Sequence, residues 1–317
     1  MRLALLVGVN LILTPLYLSL YCIALLVTCL PIFPSRVGLE NLRNRLGSGF
    51  FKAHFQLAQV FLNYIFYLIE TLVIWPLGLT CLRNEGRMTD FIRQIFTKYK
   101  TESGGGVMFL SGHFGNIESI GQVVSSLLQS EFHRGLYALA QPSRSRLITA
   151  ILSWYRNRRG LPTLMTGGAT LFPAIEKAVK EGAAIAILAD QKPRRNGLFV
   201  TFFGTPAAFP YRGIELGVRL EAPFIYMMAR RIVPGYFEPL FAEGINSHLA
   251  SFSSTDPVPG NSAVRLAPVL QVEGKTRASQ HTETVLAGYV GWLEDLVRKD
   301  PLQWFWDYKK WSRRPTA

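Results

Sequence analysis

The run Leu110-Ser111-Gly112-His113-Phe114-Gly115-Asn116-Ile117-Glu118 carries an imidazole and, five positions on, a carboxylate. A neutral imidazole accepts a proton near pH 7, and a carboxylate on its other nitrogen fixes the tautomer and stabilises the imidazolium that forms. General-base help of this kind contributes about 10²–10⁴ in rate. Five positions are about 140° around a helix, so His113 and Glu118 cannot share a helical face. With Gly115 and Asn116 bending the chain, His113 can sit in a loop while Glu118 reaches back from the first helical turn. Taken alone, the spacing fits an accidental or structural pair equally well.

The surrounding pattern gives the pair a place. Val107–Leu110 is a short β-prone run behind Gly104-Gly105-Gly106, read as a turn, and Asn116–Leu128 has helical spacing. His113 is therefore expected at the carboxyl end of a strand, over the positive end of a helix, where open α/β sheets bind ligands. Asp190-Gln191 follows the apolar run Ala184–Ala189 and is expected at a second strand end near His113. The periodicity predicts strands at 107–111, 135–140, 183–189, 198–203, 223–230 and 237–240. Helices are predicted at 83–100, 116–129, 143–157, 168–180, 211–220 and 283–299. A turn with Gly160 and Pro162 and a Ser/Pro/Gly-rich mobile loop over 244–263 complete the pattern. Interleaved strands and helices without a repeat predict one α/β domain, a mixed central sheet flanked by helices.

The chain has 317 residues, of which 49% are hydrophobic, and its mean hydropathy is +0.19. Much of the excess is at the front, where residues 3–35 contain no charged side chain, ample for about 30 Å of hydrocarbon. Residues 1–35 are read as a retained membrane anchor and 36–317 as a cytoplasmic domain. Arg36, Arg43 and Arg45 follow the span and only Arg2 precedes it, which sets the orientation. A signal peptide is the competing reading, but no Ala-x-Ala site ends the run and Leu26-Val27-Thr28-Cys29 only approximates a lipoprotein box. Pro15 leaves a kinked, shallow helix open. Pro34–Ser48 reads as a polar, basic connector. Phe50–Leu79 reads as a second apolar helix, in the core or against a membrane.

A net charge of +13 points to anionic partners: phospholipid head groups, a phosphorylated substrate or an acidic carrier protein. Nucleic acid fits poorly, since no nucleic-acid-binding signature is present. Cys22, Cys29 and Cys81 suggest no disulfide framework, and five scattered histidines without a ligand pattern suggest neither metal nor cofactor.

Four blocks occur in order: Gly112–Glu118; Arg156 with Arg159-Gly160; Asp190-Gln191 with Gly197–Ala207; and Pro301–Tyr308 leading into Lys309-Lys310-Trp311. Together they resemble the bacterial lipid A biosynthesis acyltransferases, the late lauroyl and myristoyl transferases of the lysophospholipid acyltransferase superfamily. Ile117 stands where many relatives carry Trp. The resemblance implies acyl transfer from an acyl carrier protein, or in related enzymes acyl-CoA, to a hydroxyl of a lipid A precursor or another glycolipid at the inner membrane. It implies His113 as base, oriented by Glu118, with Asp190 as the alternative partner of the ring. The oxyanion would be met by backbone N–H groups near Gly115 and Asn116 or by Arg156, and Asp190 and Gln191 would position the acceptor. Phe202, Phe203 and Gly204 would shape an acyl pocket or simply pack the core.

The basic clusters Lys192/Arg194/Arg195, Arg144/Arg146/Arg156/Arg158/Arg159 and Lys309/Lys310/Arg313/Arg314 suit a phosphorylated lipid or stay solvated. Trp304, Trp306 and Trp311 would anchor the C-terminus at a bilayer or pack inside. Two other classes compete. One is a non-catalytic lipid-binding protein on the same fold. The other is a serine hydrolase using Ser111, although no G-x-S-x-G elbow is present.

Overall fold

The computed structural model describes residues 2–30, 32–99, 105–142, 145–168, 170–193, 197–244, 269–270 and 280–311. The loop expected over 244–263, beyond its first residue, lies outside them, as do Arg144, Arg194, Arg195, Arg313 and Arg314.

Helix α1 (Arg2–Thr28) is apolar on all sides, and α3 (Phe50–Ile69) continues without a break into a π-helical turn, Glu70–Ile74. Both runs are long and apolar enough to cross a membrane. They pack together, with the Tyr17 ring edge-on to Phe66 at 4.8 Å. Leu6 is buried and Asn10 Nδ2 donates to Pro234 O at 3.0 Å, so the first turns of α1 rest on the sheet. The connector expected at Pro34–Ser48 is instead a helix, α2 (Phe33–Leu46). Pro34 lies in its first turn, Leu39, Leu42 and Leu46 recur at helical spacing against the core, and Gly47 ends it in a left-handed cap.

The central sheet runs β1 (Cys81–Leu82), β9 (Tyr236–Glu243), β8 (Phe224–Val233), β2 (Val107–Ser111), β5 (Ala184–Leu188), β3 (Leu136–Ala140) and β4 (Thr163–Met165). Neighbouring strands are parallel except for the β8–β9 hairpin. The remaining helices are α4 (Glu85–Tyr99), α5 (Ile117–Phe132), α6 (Arg146–Arg158), α7 (Leu171–Lys180), α8 (Arg212–Arg219) and α9 (Gln280–Lys299). Strand β2 is buried on both faces. Val107 and Phe109 pack with α4 and α5, whereas Met108 and Leu110 pack with α8 and α9, the two-residue alternation of a covered parallel strand.

The β-run at 198–203 leaves this sheet. As β6 (Leu198–Phe202) it pairs with β7 (Thr205–Phe209) and β10 (Val269–Leu270) in a small antiparallel sheet. A short 3₁₀ turn, Pro301–Gln303, follows α9. Trp304 and Trp306 after it are fully buried, edge-on to one another at 4.9 Å, and Trp311 stacks on Phe202 at 5.6 Å. The first two indoles are thus core residues and not bilayer anchors, because β6 and β7 close over them.

Candidate active site

Strands β2 and β5 are adjacent and in register, with Ser111 opposite Leu188. Two residues past each partner stand His113 and Asp190, so parallel pairing alone brings both side chains out at the same edge. His113 Nδ1 lies 2.8 Å from Asp190 Oδ1. The other oxygen, Oδ2, accepts the His113 backbone N–H at 2.8 Å and Trp304 Nε1–H at 3.0 Å. Gly112 permits this approach, since a Cβ there would meet Asp190 Cβ at 3.0 Å. Ser111 is buried and its Oγ–H donates to Met227 O, so the only serine beside His113 is committed to the sheet.

These contacts set the protonation. Burial pushes Asp190 upward, but the His113 charge, its two hydrogen bonds and Lys310 outweigh this and hold the carboxyl below its ordinary value. An ionised Asp190 takes the Nδ1 proton of His113, leaving a lone pair on Nε2. Burial by itself would lower the His113 value, yet the charge and hydrogen bond of Asp190, with a smaller push from Glu118, raise it above the ordinary 6.5. The ring keeps 23% of its side-chain surface exposed. Gln191 Nε2 stands 3.3 Å from Nε2, and Phe305 covers the ring at 5.2 Å.

Glu118 is turned elsewhere. Its carboxylate grips Arg156: Nε donates to both oxygens, at 2.9 and 3.1 Å, and Nη2 donates to Oε1. Tyr67 is hydrogen-bonded to Glu118 as well. Placed in the first turn of α5, the Glu118 side chain meets the last turn of α6 and not the imidazole. The hydrogen-bonding partner of His113 is therefore Asp190, the alternative among the two carboxylates. Burial pulls the Arg156 value down, and the charge and hydrogen bonds of Glu118 raise it further than that. Among the described residues its Nη1 has no hydrogen-bond partner.

Gly115 has φ +61°, and a Cβ would collide with Ala229 O. Its N–H is already given to Gln303 O at 3.0 Å, which removes it as an oxyanion donor. Asn116 is fully buried: Oδ1 caps α5 by accepting Ser119 N–H at 3.0 Å, and Nδ2 donates to Glu70 Oε2 at 2.8 Å. Behind it lies a buried network that the sequence analysis missed. Arg231 binds Glu70 through Nε at 2.5 Å and Nη2 at 2.7 Å, and Gly235 N–H adds a bond at 3.1 Å. Gln303 Oε1 accepts Arg231 N–H at 2.7 Å. A lone carboxylate in an apolar helix was the available signal.

A cavity of about 280 Å³ opens on His113, Gly115, Glu118 and Arg156, with Tyr64, Tyr67, Leu68, Ile117, Leu188 and Phe305 as its walls. Helix α3 therefore supplies part of the site, which the sequence pattern did not reveal. Phe202, Phe203 and Gly204 do not line this cavity. Phe203 and Gly204, both with positive φ, form the β6–β7 turn, and both rings pack among Trp304, Trp306 and Trp311. Lys310 is buried as well, its Nζ donating to Ala208 O at 2.7 Å over the Phe209 ring, and burial pulls its value well below the usual lysine range.

A clamped imidazole over an apolar cavity, beside a guanidinium, is the equipment of an acyl-transfer enzyme. Residues 39–239 match the family model described as bacterial lipid A biosynthesis acyltransferase, and the chain belongs to that family. It is accordingly an acyltransferase with an acyl donor and a lipid acceptor. No curated protein matches the sequence.

Proposed function

We propose that the protein is a membrane-bound O-acyltransferase that moves a fatty acyl chain from an acyl carrier protein thioester to a hydroxyl of a lipid A precursor. The observation that carries this reading is the Asp190-clamped His113 on the wall of an apolar cavity. His113 Nε2 takes the proton of the acceptor hydroxyl and the freed oxygen attacks the thioester carbonyl carbon. The carbon–sulfur bond then breaks, and the departing thiolate collects the proton from the imidazolium. Asp190 balances the imidazolium charge. Arg156 Nη1 donates to the oxyanion while Glu118 holds the guanidinium in place, and Gln191 positions the acceptor at Nε2. Leu68, Leu188 and Phe305 pack on hydrocarbon.

Residues 1–35 serve as the anchor and 36–317 as the catalytic domain on the cytoplasmic face of the inner membrane. The apolar α1 and the arginines after it support that arrangement. The net charge of +13 suits an acidic carrier protein and a phosphorylated lipid.

The test is acyl transfer by purified protein from labelled acyl carrier protein to a phosphorylated lipid A precursor, read by mass spectrometry. His113→Ala lowers the rate by about 10²–10⁴ with the circular dichroism spectrum intact. Full activity in that variant overturns the assigned base. Transfer from acyl-CoA alone, or only to another glycolipid, replaces the donor or the acceptor.

A further inference from the structure

Helix α6 is built inside out. Leu147, Ile151 and Trp154 fall on one helical face and are 69%, 52% and 59% exposed. Arg156, nine positions from Leu147 and so half a turn away, points inward to Glu118. None of the described side chains of α6 is buried. A helix facing water shows the opposite pattern. In α7, Ile175, Ala178 and Val179 are buried, and Lys177 and Lys180 are exposed. An outward apolar stripe on a helix fixed by inward polar bonds needs an apolar medium against it.

Three features say which medium. The stripe is continuous with a surface that is already apolar: Tyr155 O–H donates to Thr71 O at 2.6 Å, tying α6 to the π-helical turn, where Leu72 and Val73 are exposed. Its ends are basic, with Arg146 at the start and Arg158 and Arg159 at the finish. Arg158 lies over the Trp154 ring at 5.4 Å, a ring with a charged partner suited to the boundary between hydrocarbon and head groups. We propose that α6 lies on an anionic phospholipid bilayer, its leucine, isoleucine and tryptophan among the acyl chains and its terminal arginines at the phosphates. The cavity wall formed by Leu68 and Arg156 is thereby held next to the lipid phase. The proposal deepens the membrane reading and rests on α1 being inserted.

The full chain, with Cys22, Cys29 and Cys81 changed to Ala, is reconstituted into phosphatidylglycerol/phosphatidylethanolamine vesicles and spin-labelled in turn at Leu147→Cys, Ile151→Cys, Leu18→Cys and Lys177→Cys. Collision with oxygen and with a water-soluble nickel chelate is then compared. Labels at 147 and 151 are expected to favour oxygen several-fold, as at 18, while 177 favours nickel. A nickel preference at 151 with oxygen preferred at 18 overturns the α6 proposal and leaves the anchor standing. A nickel preference at 18 overturns the membrane reading itself. Exclusion of both reagents at 151 means that a protein partner or a second copy covers the stripe, and also overturns the proposal. In phosphatidylcholine vesicles the oxygen preference at 151 is expected to weaken, and an equal preference overturns the role given to the arginines.

Discussion

Asp190 and Glu118 both belong to the rim of one cavity, yet they are held in contrasting ways. Asp190 sits beneath a strand end, fixed by three N–H donors from His113 and Trp304, and has no freedom to leave the imidazole. Glu118 stands at the start of a helix and spans to the guanidinium of a second helix, α6. The carboxylate nearer to His113 in sequence is thus not its hydrogen-bond partner, and the one 77 positions away is. Strand register places a side chain more firmly than proximity along the chain, because a parallel pair fixes both loops at once.

The contrast breaks or sharpens on four substitutions. Asp190→Asn carries the largest effect, a fall of about 10²–10⁴ in kcat. Its pH profile is the sharper measure. A base works unprotonated, so activity rises as pH passes the raised His113 value. Removing the charge that raises it lets burial dominate, and the acid limb moves to lower pH. Glu70→Ala leaves Arg231 buried without its carboxylate and lowers stability by about 3–5 kcal/mol, seen as earlier thermal unfolding in detergent. Glu118→Gln lowers kcat by about 10–10², the worth of a charged hydrogen bond of ~1.5–3 kcal/mol, and moves the acid limb less than Asp190→Asn. A larger move for Glu118→Gln would reverse the two roles. Trp304→Phe, which removes one of Asp190's three donors, has the smallest effect, at the low end of that range, about 1.5 kcal/mol in kcat/KM.

Much of the α/β core was legible because its helices and strands carry distinct periods. β2, α5, β5 and α9 lie within a few residues of their expected limits. His113 and Asp190 were legible too, as polar residues ending apolar runs. What could not be read was pairing. Nothing in Leu198–Phe203 says that it pairs in a separate sheet, and nothing in Phe202-Phe203-Gly204 separates an acyl pocket from a core turn. Tyr64, Tyr67 and Leu68 were indistinguishable from other aromatic and apolar residues of a greasy helix until α3 was seen against the strand ends. Pro34–Ser48 misled through composition, since its charges lie on one side of a helix whose leucines grip α3.

The π-helical turn at Glu70–Ile74 makes length itself a determinant of this site. One surplus residue offsets everything after it by about 100° from everything before, which lets the cavity-lining tyrosines and the Arg231-binding carboxylate occupy one rod while Leu72 and Val73 face outward. Excising a single codon from this turn would leave the greasy composition unaltered yet unhook that carboxylate from its arginine and from the cap of α5. Scanning by substitution would never reveal this dependence; only a deletion series would.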